Sequence, residues 1–327
     1  MQVLLCGTNY GAQYVQALWN CAGGMRLAGI LSRGSERSRA LARQLGTSHF
    51  TALVDVVAGS IDAAIVAVPG EDGVKLVMAL LERGVHVMAE HPWEPEALDK
   101  AIAAAQTKKL AFNVNSHFGD LECVDLFLRH ADRGAQAPPI FLNLAVNTRT
   151  LYSAIDIVGR LLFLNAPRPF QFTPANPSAA DPSSPAFFAT VHGLIGDVPI
   201  AIHCQRYSSA VDDGLATFVN HRVVLGFMDG NLMLGDTFGP LVWMPRILPQ
   251  TQWAHTAWTL LSPAPNESAG AYSAAVRDRA NRAACERFAA QIATGGVAAT
   301  QRPEYLSQVS RTWRTAMDSL WRPAKRA

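Results

Sequence analysis

Charged side chains are scarce in this sequence, and long apolar runs are absent. Only 17% of the 327 residues are Asp, Glu, Lys or Arg, whereas 49% are hydrophobic. A chain with so many apolar residues can bury a core, so intrinsic disorder is not expected. No apolar run reaches the roughly 18 to 20 residues of a membrane-spanning helix. We therefore expect a soluble globular protein that does not associate with membranes.

The sequence also lacks a clear excess of either charge. Its 28 Lys and Arg residues stand against 26 Asp and Glu, for a net charge of +2. The sequence pI of about 8.3 arises without a basic block. Nucleic-acid binding depends largely on clustered Lys and Arg side chains that neutralise phosphates. The charge pattern therefore argues against a nucleic-acid partner.

Cysteine is sparse, and no two cysteines form a C-x-x-C pair. The five are widely scattered: Cys6, Cys21, Cys123, Cys204 and Cys285. This pattern indicates neither a disulfide framework nor a zinc site, and it is typical of a reducing compartment. Residues 1–5 run directly into a predicted strand without the features of a secretion signal. We therefore expect a cytoplasmic protein without a bound metal.

The first 120 residues contain a regular alternation of strands and helices. The predicted strands are short apolar segments: Gln2–Cys6, Met25–Ser32, Ile61–Val68, Val85–Ala89 and Leu110–Asn115. Helical stretches separate them. Strands that are apolar on both faces and joined by helices are typical of a parallel sheet covered on both sides. Residues 1–120 are therefore predicted to form a doubly wound, Rossmann-type domain of the α/β class.

After residue 120 the pattern changes to half-buried strands. The predicted strands are Pro139–Asn147, Val198–Arg206, Ala216–Asn220, Val223–Met228 and Asn231–Leu234. Asp213-Gly214 and Asp229-Gly230 fit hairpin turns, and the proline-rich stretch 165–185 predicts a loop. Residues 121–327 are therefore expected to form an α+β domain on an open, largely antiparallel sheet. Such a domain would serve substrate binding and oligomerisation, and its exposed sheet face makes a homodimer plausible.

The turn after the first strand fits a degraded dinucleotide-binding loop. Against the pattern G-x-G-x-x-G, it supplies Gly7, then Asn9, then Ala12, with Gly11 beside it. Asn tolerates a left-handed backbone, and a small third residue lets the helix approach the strand. An ordinary strand-to-helix turn is the alternative, but the position at the start of a βαβ run favours a pyrophosphate site. The predicted contacts are Gly7, Thr8, Asn9, Tyr10 and Gly11.

The end of the second strand indicates which cofactor binds. An NAD site places an acid there for the ribose 2′-hydroxyl, whereas an NADP site offers small polar and basic residues to the 2′-phosphate. Residues 31–38 read LSRGSERS, with no acid at the strand end. The hydroxyl and guanidinium groups predict NADPH, and a solvated loop with a capping serine is the alternative. The predicted phosphate contacts are Ser32, Arg33, Ser35 and Arg37.

Polar residues also follow three later strands. Crevices in doubly wound sheets form at the carboxyl ends of strands, so Val68-Pro69, Glu90-His91-Pro92 and Ser116-His117-Phe118 are expected to meet. Pro92 restricts the backbone that carries His91. An imidazole titrates near neutrality, so His91 is predicted to deliver a proton while a cofactor delivers hydride.

Together these features resemble the Gfo/Idh/MocA oxidoreductase superfamily over nearly the whole chain. The similarity rests on the dinucleotide-binding domain, the Glu-x-Pro tripeptide Glu90-His91-Pro92 and the C-terminal open sheet. Most members oxidise sugar alcohols with a Glu-Lys-Pro lysine and a later His-x-x-Asp motif. In this chain His91 replaces the lysine, and the later motif reads Ser153-Ala154-Ile155-Asp156. Alcohol oxidation by the usual machinery is therefore in doubt.

The glycine loop and Glu90-His91-Pro92 are similar to one branch, the thiazolinyl imide reductases of pyochelin-type and yersiniabactin-type siderophore assembly lines. The resemblance implies NADPH-dependent reduction of a thiazoline C=N to a thiazolidine. The substrate would be thioester-linked to a peptidyl carrier protein of a nonribosomal peptide synthetase. Members of that branch are described with a tyrosine near the end of the fifth predicted strand as a candidate proton donor. The corresponding residue here is Phe118, which leaves His91, His117 or an ordered water to protonate the nitrogen. The residues implied around the nicotinamide ribose are Val68, Pro69, Glu90 and Pro92.

Two other functions stay open. A sugar or other small-molecule dehydrogenase with altered catalytic residues would turn over a free substrate and ignore a carrier protein. A Rossmann-fold redox sensor would bind NADP without turnover, which the missing lysine, Ser153 and Phe118 favour.

Overall fold

The chain folds into two compact units. The computed structural model describes residues 1–132, 137–173, 188–206, 217–247, 257–262 and 269–321. Unit 1 comprises Met1–His117 and Ala274–Ser307, and unit 2 comprises Phe118–Ser273 and Gln308–Ala327. The first boundary lies close to the predicted division at residue 120. The return of residues 274–307 to unit 1 differs from the predicted simple succession of domains 1–120 and 121–327.

A six-stranded parallel sheet forms the centre of unit 1. Its strands β1 to β6 are Gln2–Cys6, Arg26–Leu31, Ser48–Phe50, Ala63–Val66, His86–Glu90 and Phe112–Asn115. Their spatial order is β3-β2-β1-β4-β5-β6, and every neighbouring pair is parallel. This is the doubly wound order, which reverses between β1 and β4. The α/β prediction is confirmed, but β3 was missed because three residues show no usable periodicity.

Helices separate most of the strands of unit 1, as the predicted alternation requires. The described α-helices, α1 to α8, are Tyr14–Trp19, Glu36–Gln44, Gly70–Glu82, Pro95–Thr107, Glu122–Ala131, Leu151–Leu162, Ala269–Thr294 and Pro303–Trp321. None of the helices in the described part of the chain is long and apolar enough to cross a membrane.

The two faces of the first sheet are covered by different helices. Successive side chains of a strand point to opposite faces. On β1, Leu4 is buried in a core that contains Leu80 of α3 and Leu98 of α4. The next residue, Leu5, is buried in a second core that includes Phe288 of α7. The apolar contacts of α7 thus explain why a C-terminal segment belongs to unit 1, since burying one Phe side chain contributes about 1.5–3 kcal/mol.

An eight-stranded sheet forms the centre of unit 2. Strands β7 to β14 are Phe141–Asn147, Phe170–Phe172, Phe188–Ile195, Val198–Gln205, His221–Phe227, Gly230–Leu234, Leu241–Pro245 and Thr259–Ser262. Their order is β14-β13-β12-β11-β7-β10-β9-β8. Among the described strand pairs, β7 and β10 are parallel and the others antiparallel. The largely antiparallel sheet was predicted correctly.

Some details of unit 2 differ from the prediction. Phe170–Phe172 forms β8 inside the stretch predicted as a loop. Residues 217–220 of the predicted strand Ala216–Asn220 lie in no strand. The turn at Asp229-Gly230 joins β11 to β12, with Gly230 paired to Phe227. Asp213-Gly214 lies outside the described residues.

Candidate cofactor and proton-transfer site

Gly7 allows the end of β1 to lie against the end of β4. Its φ is +84°, a conformation that L side chains rarely adopt. A Cβ at this position would lie 2.6 Å from the carbonyl oxygen of Ala67 and 3.1 Å from Cγ2 of Val68. Only glycine fits both the backbone conformation and the available space. The turn therefore exposes backbone at the point where the strand order reverses, as a pyrophosphate site requires.

The other residues of the glycine loop face different surroundings. Thr8 and Gly11 are buried, Asn9 is exposed, and Tyr10 is half-buried. A Cβ on Gly11 would lie 3.3 Å from Cδ1 of Leu5, which shows how closely the loop packs on β1. The Tyr10 hydroxyl lies 2.9 Å from Nδ1 of His117. The Tyr10 side chain is therefore directed toward the end of β6.

The predicted phosphate contacts are two serines that hydrogen-bond within unit 1 and two arginines that offer positive charge. Ser35 caps α2, because its Oγ accepts a hydrogen bond from the Ser38 backbone at 3.2 Å. Ser32 Oγ lies 2.9 Å from Nε2 of His49. The Arg37 guanidinium donates to Oδ1 of Asn9 at 3.3 Å, and Arg33 is exposed. The capping interpretation thus accounts for Ser35, while the two arginines offer charge beside the glycine loop and the end of β2.

The ends of β4, β5 and β6 are neighbours in the sheet. Val68 and Pro69 follow β4, Glu90 ends β5, and His117 lies just beyond β6. The imidazole rings of His91 and His117 have centroids 6.5 Å apart. The His91–Pro92 peptide bond is cis. The predicted proton donors are thus brought together at the carboxyl edge of the sheet.

A backbone contact determines which nitrogen of His91 exchanges protons. Nδ1 of His91 lies 2.9 Å from the carbonyl oxygen of Asn115. A carbonyl oxygen only accepts hydrogen bonds, so Nδ1 carries the hydrogen in the neutral ring. The second proton of the imidazolium form is therefore carried by Nε2.

The Glu90 carboxyl is held by neutral donors. Its Oε1 accepts hydrogen bonds from the Tyr14 hydroxyl and from Nδ2 of Asn115, the latter at 3.1 Å. The same Asn115 nitrogen contacts the Tyr14 hydroxyl and lies 3.1 Å from Oδ1 of Asn281 on α7. The other oxygen, Oε2, lies 3.7 Å from Nδ1 of His91, and the Glu90 side chain is 13% exposed.

Burial changes the acid–base properties of this cluster. It raises the pKa of the Glu90 carboxyl to about 8, although the hydrogen bond from Asn115 acts in the opposite direction. Burial and then the negative charge of Glu90 raise the pKa of the Tyr10 hydroxyl above its ordinary range. Near neutrality, Glu90 therefore holds a proton for much of the time and Tyr10 remains a phenol.

Three polar residues of this cluster were not predicted from the sequence. Tyr14 is on α1, Asn115 ends β6, and Asn281 is on α7. Asn115 directly precedes a polar strand end that was recognised, so its position carried a usable signal. Asn281 lies 166 positions from its partner Asn115, and no local pattern connects the two.

In unit 2, the residues of the altered His-x-x-Asp motif have other partners. Ser153 Oγ lies 2.7 Å from Nε2 of His221, whose Nδ1 lies 2.8 Å from the Thr237 hydroxyl. Asp156 pairs with Arg160 at 3.1 Å. No group of three or more His, Cys, Asp or Glu residues within the described ranges could hold a metal ion.

Family models match both an N-terminal and a C-terminal part of the chain. Residues 1–116 match the GFO_IDH_MocA model, described as an oxidoreductase family with an NAD-binding Rossmann fold. Residues 137–244 match the C-terminal domain of Irp3-like thiazolinyl imine reductase. A search of curated proteins found no match.

Solved structures share the fold at low sequence identity. UDP-N-acetylglucosamine 3-dehydrogenase GnnA from Acidithiobacillus ferrooxidans is 17% identical with a TM-score of 0.70, covering 98% of this chain and 97% of that one. An oxidoreductase from Agrobacterium radiobacter, solved with NAD+, L-tartaric acid and magnesium, is 14% identical with a TM-score of 0.74 and coverages of 98% and 96%. A 3-ketoreductase from Actinomadura kijaniata, solved with TDP-benzene and NADP, is 15% identical with a TM-score of 0.71 and the same coverages. The chain is therefore a Gfo/Idh/MocA oxidoreductase with an NAD(P)-binding Rossmann domain and an Irp3-like C-terminal domain.

Proposed function

We propose that this chain is an NADPH-dependent reductase that converts a thiazoline C=N to a thiazolidine on a siderophore intermediate bound to a peptidyl carrier protein. The match of residues 137–244 to the Irp3-like thiazolinyl imine reductase domain carries the proposal. The presence of His91 where most superfamily members have a lysine supports it. Imine reduction requires a group that donates a proton to nitrogen, whereas alcohol oxidation requires a base that removes a proton from the hydroxyl.

The residues at the carboxyl edge of unit 1 fit NADPH. Gly7 gives the turn the positive φ and close packing typical of a dinucleotide-binding loop, and Arg33 and Arg37 provide positive charge for a 2′-phosphate. The first acidic residue after β2 in the sequence is Glu36. It pairs with Arg39 at 3.5 Å and with Arg43 at 2.5 Å along α2. When bound, the cofactor supplies hydride to the imine carbon.

His91 supplies the proton in this proposal. Its Nδ1 is committed to the Asn115 carbonyl, so the imidazolium donates from Nε2 to the imine nitrogen. Oε2 of Glu90 lies 3.7 Å from Nδ1 of the same ring. His117, hydrogen-bonded to Tyr10, is the second donor candidate.

The test uses the purified protein, NADPH and a thiazolinyl thioester loaded on its carrier protein. The product should gain two hydrogens by intact mass spectrometry, with one NADPH consumed per product. Unchanged substrate with unconsumed NADPH would contradict the proposal.

Two controls separate the alternatives. A free thiazoline acid and a set of nucleotide sugars are offered under the same conditions. Turnover of a sugar without any carrier would instead favour a sugar dehydrogenase. Tight NADPH binding with no turnover of any substrate would favour a redox sensor.

A further inference from the structure

We propose that Glu90 releases a proton when oxidised NADP binds and retains it when NADPH binds, so that its charge follows the oxidation state of the cofactor. This inference rests on the NADP binding assumed in the proposed function. It does not depend on the identity of the substrate.

Glu90 lies at the carboxyl edge of the first sheet. Glu90 is the last residue of β5. The glycine turn follows β1 and the two arginines follow β2, on one side of the point where the strand order reverses. A dinucleotide bound across that point extends its second half over the ends of β4 and β5. Glu90 therefore belongs to the nicotinamide side of the site.

Among the described residues, the contacts of the Glu90 carboxyl include no fixed positive charge. Both groups that donate to Oε1 of Glu90, on Tyr14 and Asn115, are neutral. Among the described residues, the ion-pair partner of Glu90 is His91 at 3.7 Å. Within the described ranges, no ion pair with a lysine or arginine therefore holds this carboxyl in its ionised form.

Other titratable groups lie around Glu90. Those that face it or its direct neighbours are His91 after β5, Tyr14 on α1, Tyr10 in the glycine loop, His117 after β6, and Cys285 and Arg277 on α7. Burial raises the pKa of Tyr10 and of Cys285 above their ordinary ranges, so both stay protonated. Near neutrality, Tyr10 and Cys285 therefore remain uncharged, whereas Glu90 is able to change charge.

The nicotinamide ring of NADP+ carries a positive charge that NADPH lacks. An ionised carboxylate attracts that charge, whereas a neutral carboxyl does not. Binding of NADP+ therefore favours breaking the Glu90 O–H bond, with the proton passing to solvent and no electrons moving. In the free protein, the pKa of Glu90 of about 8 keeps the proton in place at neutral pH.

The experiment measures the dissociation constants of NADP+ and NADPH by titration calorimetry from about pH 6 to 9. Taking the ratio of the two dissociation constants removes the effect of 2′-phosphate titration, because both cofactors carry this group. NADP+ should gain affinity relative to NADPH by up to about tenfold per pH unit, and the gain should level off above about pH 8. Glu90→Gln should make the ratio independent of pH, whereas His91→Gln should preserve the slope.

A second measurement uses the unmodified protein in weak buffer. At about pH 7, binding of NADP+ should release close to one proton, and binding of NADPH close to none. A pH-independent ratio in the unmodified protein overturns the inference, as does a slope that survives Glu90→Gln. If neither NADP+ nor NADPH binds, the proposed function fails as well. If both bind with a constant ratio, only the role of Glu90 fails.

Discussion

The Tyr10 hydroxyl lies 2.9 Å from Nδ1 of His117, although 107 positions separate these residues in the chain. The contact joins the glycine turn after β1 to the polar segment after β6. One end of the predicted pyrophosphate site is thus tied to a candidate proton donor.

Replacing Tyr10 by Phe removes this hydrogen bond and keeps the ring that packs edge-on against Tyr14. We expect the free energy of unfolding to fall by about 0.5–1.5 kcal/mol, the usual net value of one hydrogen bond. Urea titration measures it. Tyr10→Leu, which also loses the ring, should cost more, and an unchanged free energy of unfolding in Tyr10→Phe would contradict the role of the hydroxyl.

Gly7→Ala tests the close approach of β1 to β4. The substitution adds backbone strain at a φ of +84° and a Cβ 2.6 Å from the Ala67 carbonyl. Gly46→Ala is the matched control, because its φ is +60° and no atom lies within 4 Å of its Cβ. We expect about 1–2 kcal/mol of destabilisation from strain at Gly46 and clearly more at Gly7. Weakened NADPH binding should accompany only the Gly7 variant.

The arginines near the end of β2 should determine cofactor choice. Arg33→Ala and Arg37→Ala are each expected to weaken NADPH binding by about 1–3 kcal/mol while barely changing NADH binding. Arg43→Ala on the same helix, where the arginine pairs with Glu36, is the control. Equal losses for both cofactors would show that the phosphate site lies elsewhere.

Glu90 should make the protein less stable as pH rises. Its pKa is about 8 in the folded state against an ordinary value of 4.5, so between these values the folded state binds more protons than the unfolded state. The contribution of Glu90 to the free energy of unfolding then falls by up to about 1.4 kcal/mol per pH unit. Denaturant titrations from about pH 5 to 8 should show this slope in the difference between the unmodified protein and Glu90→Gln. A pH-independent difference would mean that the carboxyl ionises normally.

His91 should carry its hydrogen on Nδ1 in the neutral ring. Nitrogen-15 NMR of the histidine side chains identifies the protonated nitrogen, and the signal absent from His91→Asn assigns the residue. The same variant should lower turnover of the thiazoline substrate while leaving NADPH affinity nearly unchanged. Unchanged turnover would remove His91 as the proton donor.

Most of unit 1 was predictable because its strands are continuous apolar runs between helices. The glycine turn and the polar ends of β4, β5 and β6 follow directly from that alternation. Strand β3, with three residues, is too short to show a period. In unit 2, β8 lies in a proline-rich stretch whose composition favours a loop.

The chemistry of the site was harder to predict from the sequence, because it depends on contacts between distant segments. The elevated pKa of Glu90 arises from its burial at the end of β5, and Tyr14, Asn115 and Asn281 surround it from three other elements. The capping role of Ser35 was visible in the sequence as an alternative. The hydrogen bond between Arg37 and Asn9 was not, because it joins α2 to the glycine loop, 28 positions away in the chain.

The path of α7 also affects how the protein is made. Cys285 and Phe288 share a buried core with Val3 and Leu5 at the other end of the chain. During translation, all six strands of the first sheet leave the ribosome long before the helix that covers one of its faces. Until then the nascent chain exposes the part of that apolar face that α7 covers, and such exposed surface is prone to aggregate. A gene truncated after residue 120 would therefore encode an aggregation-prone fragment, even though it retains the whole glycine turn.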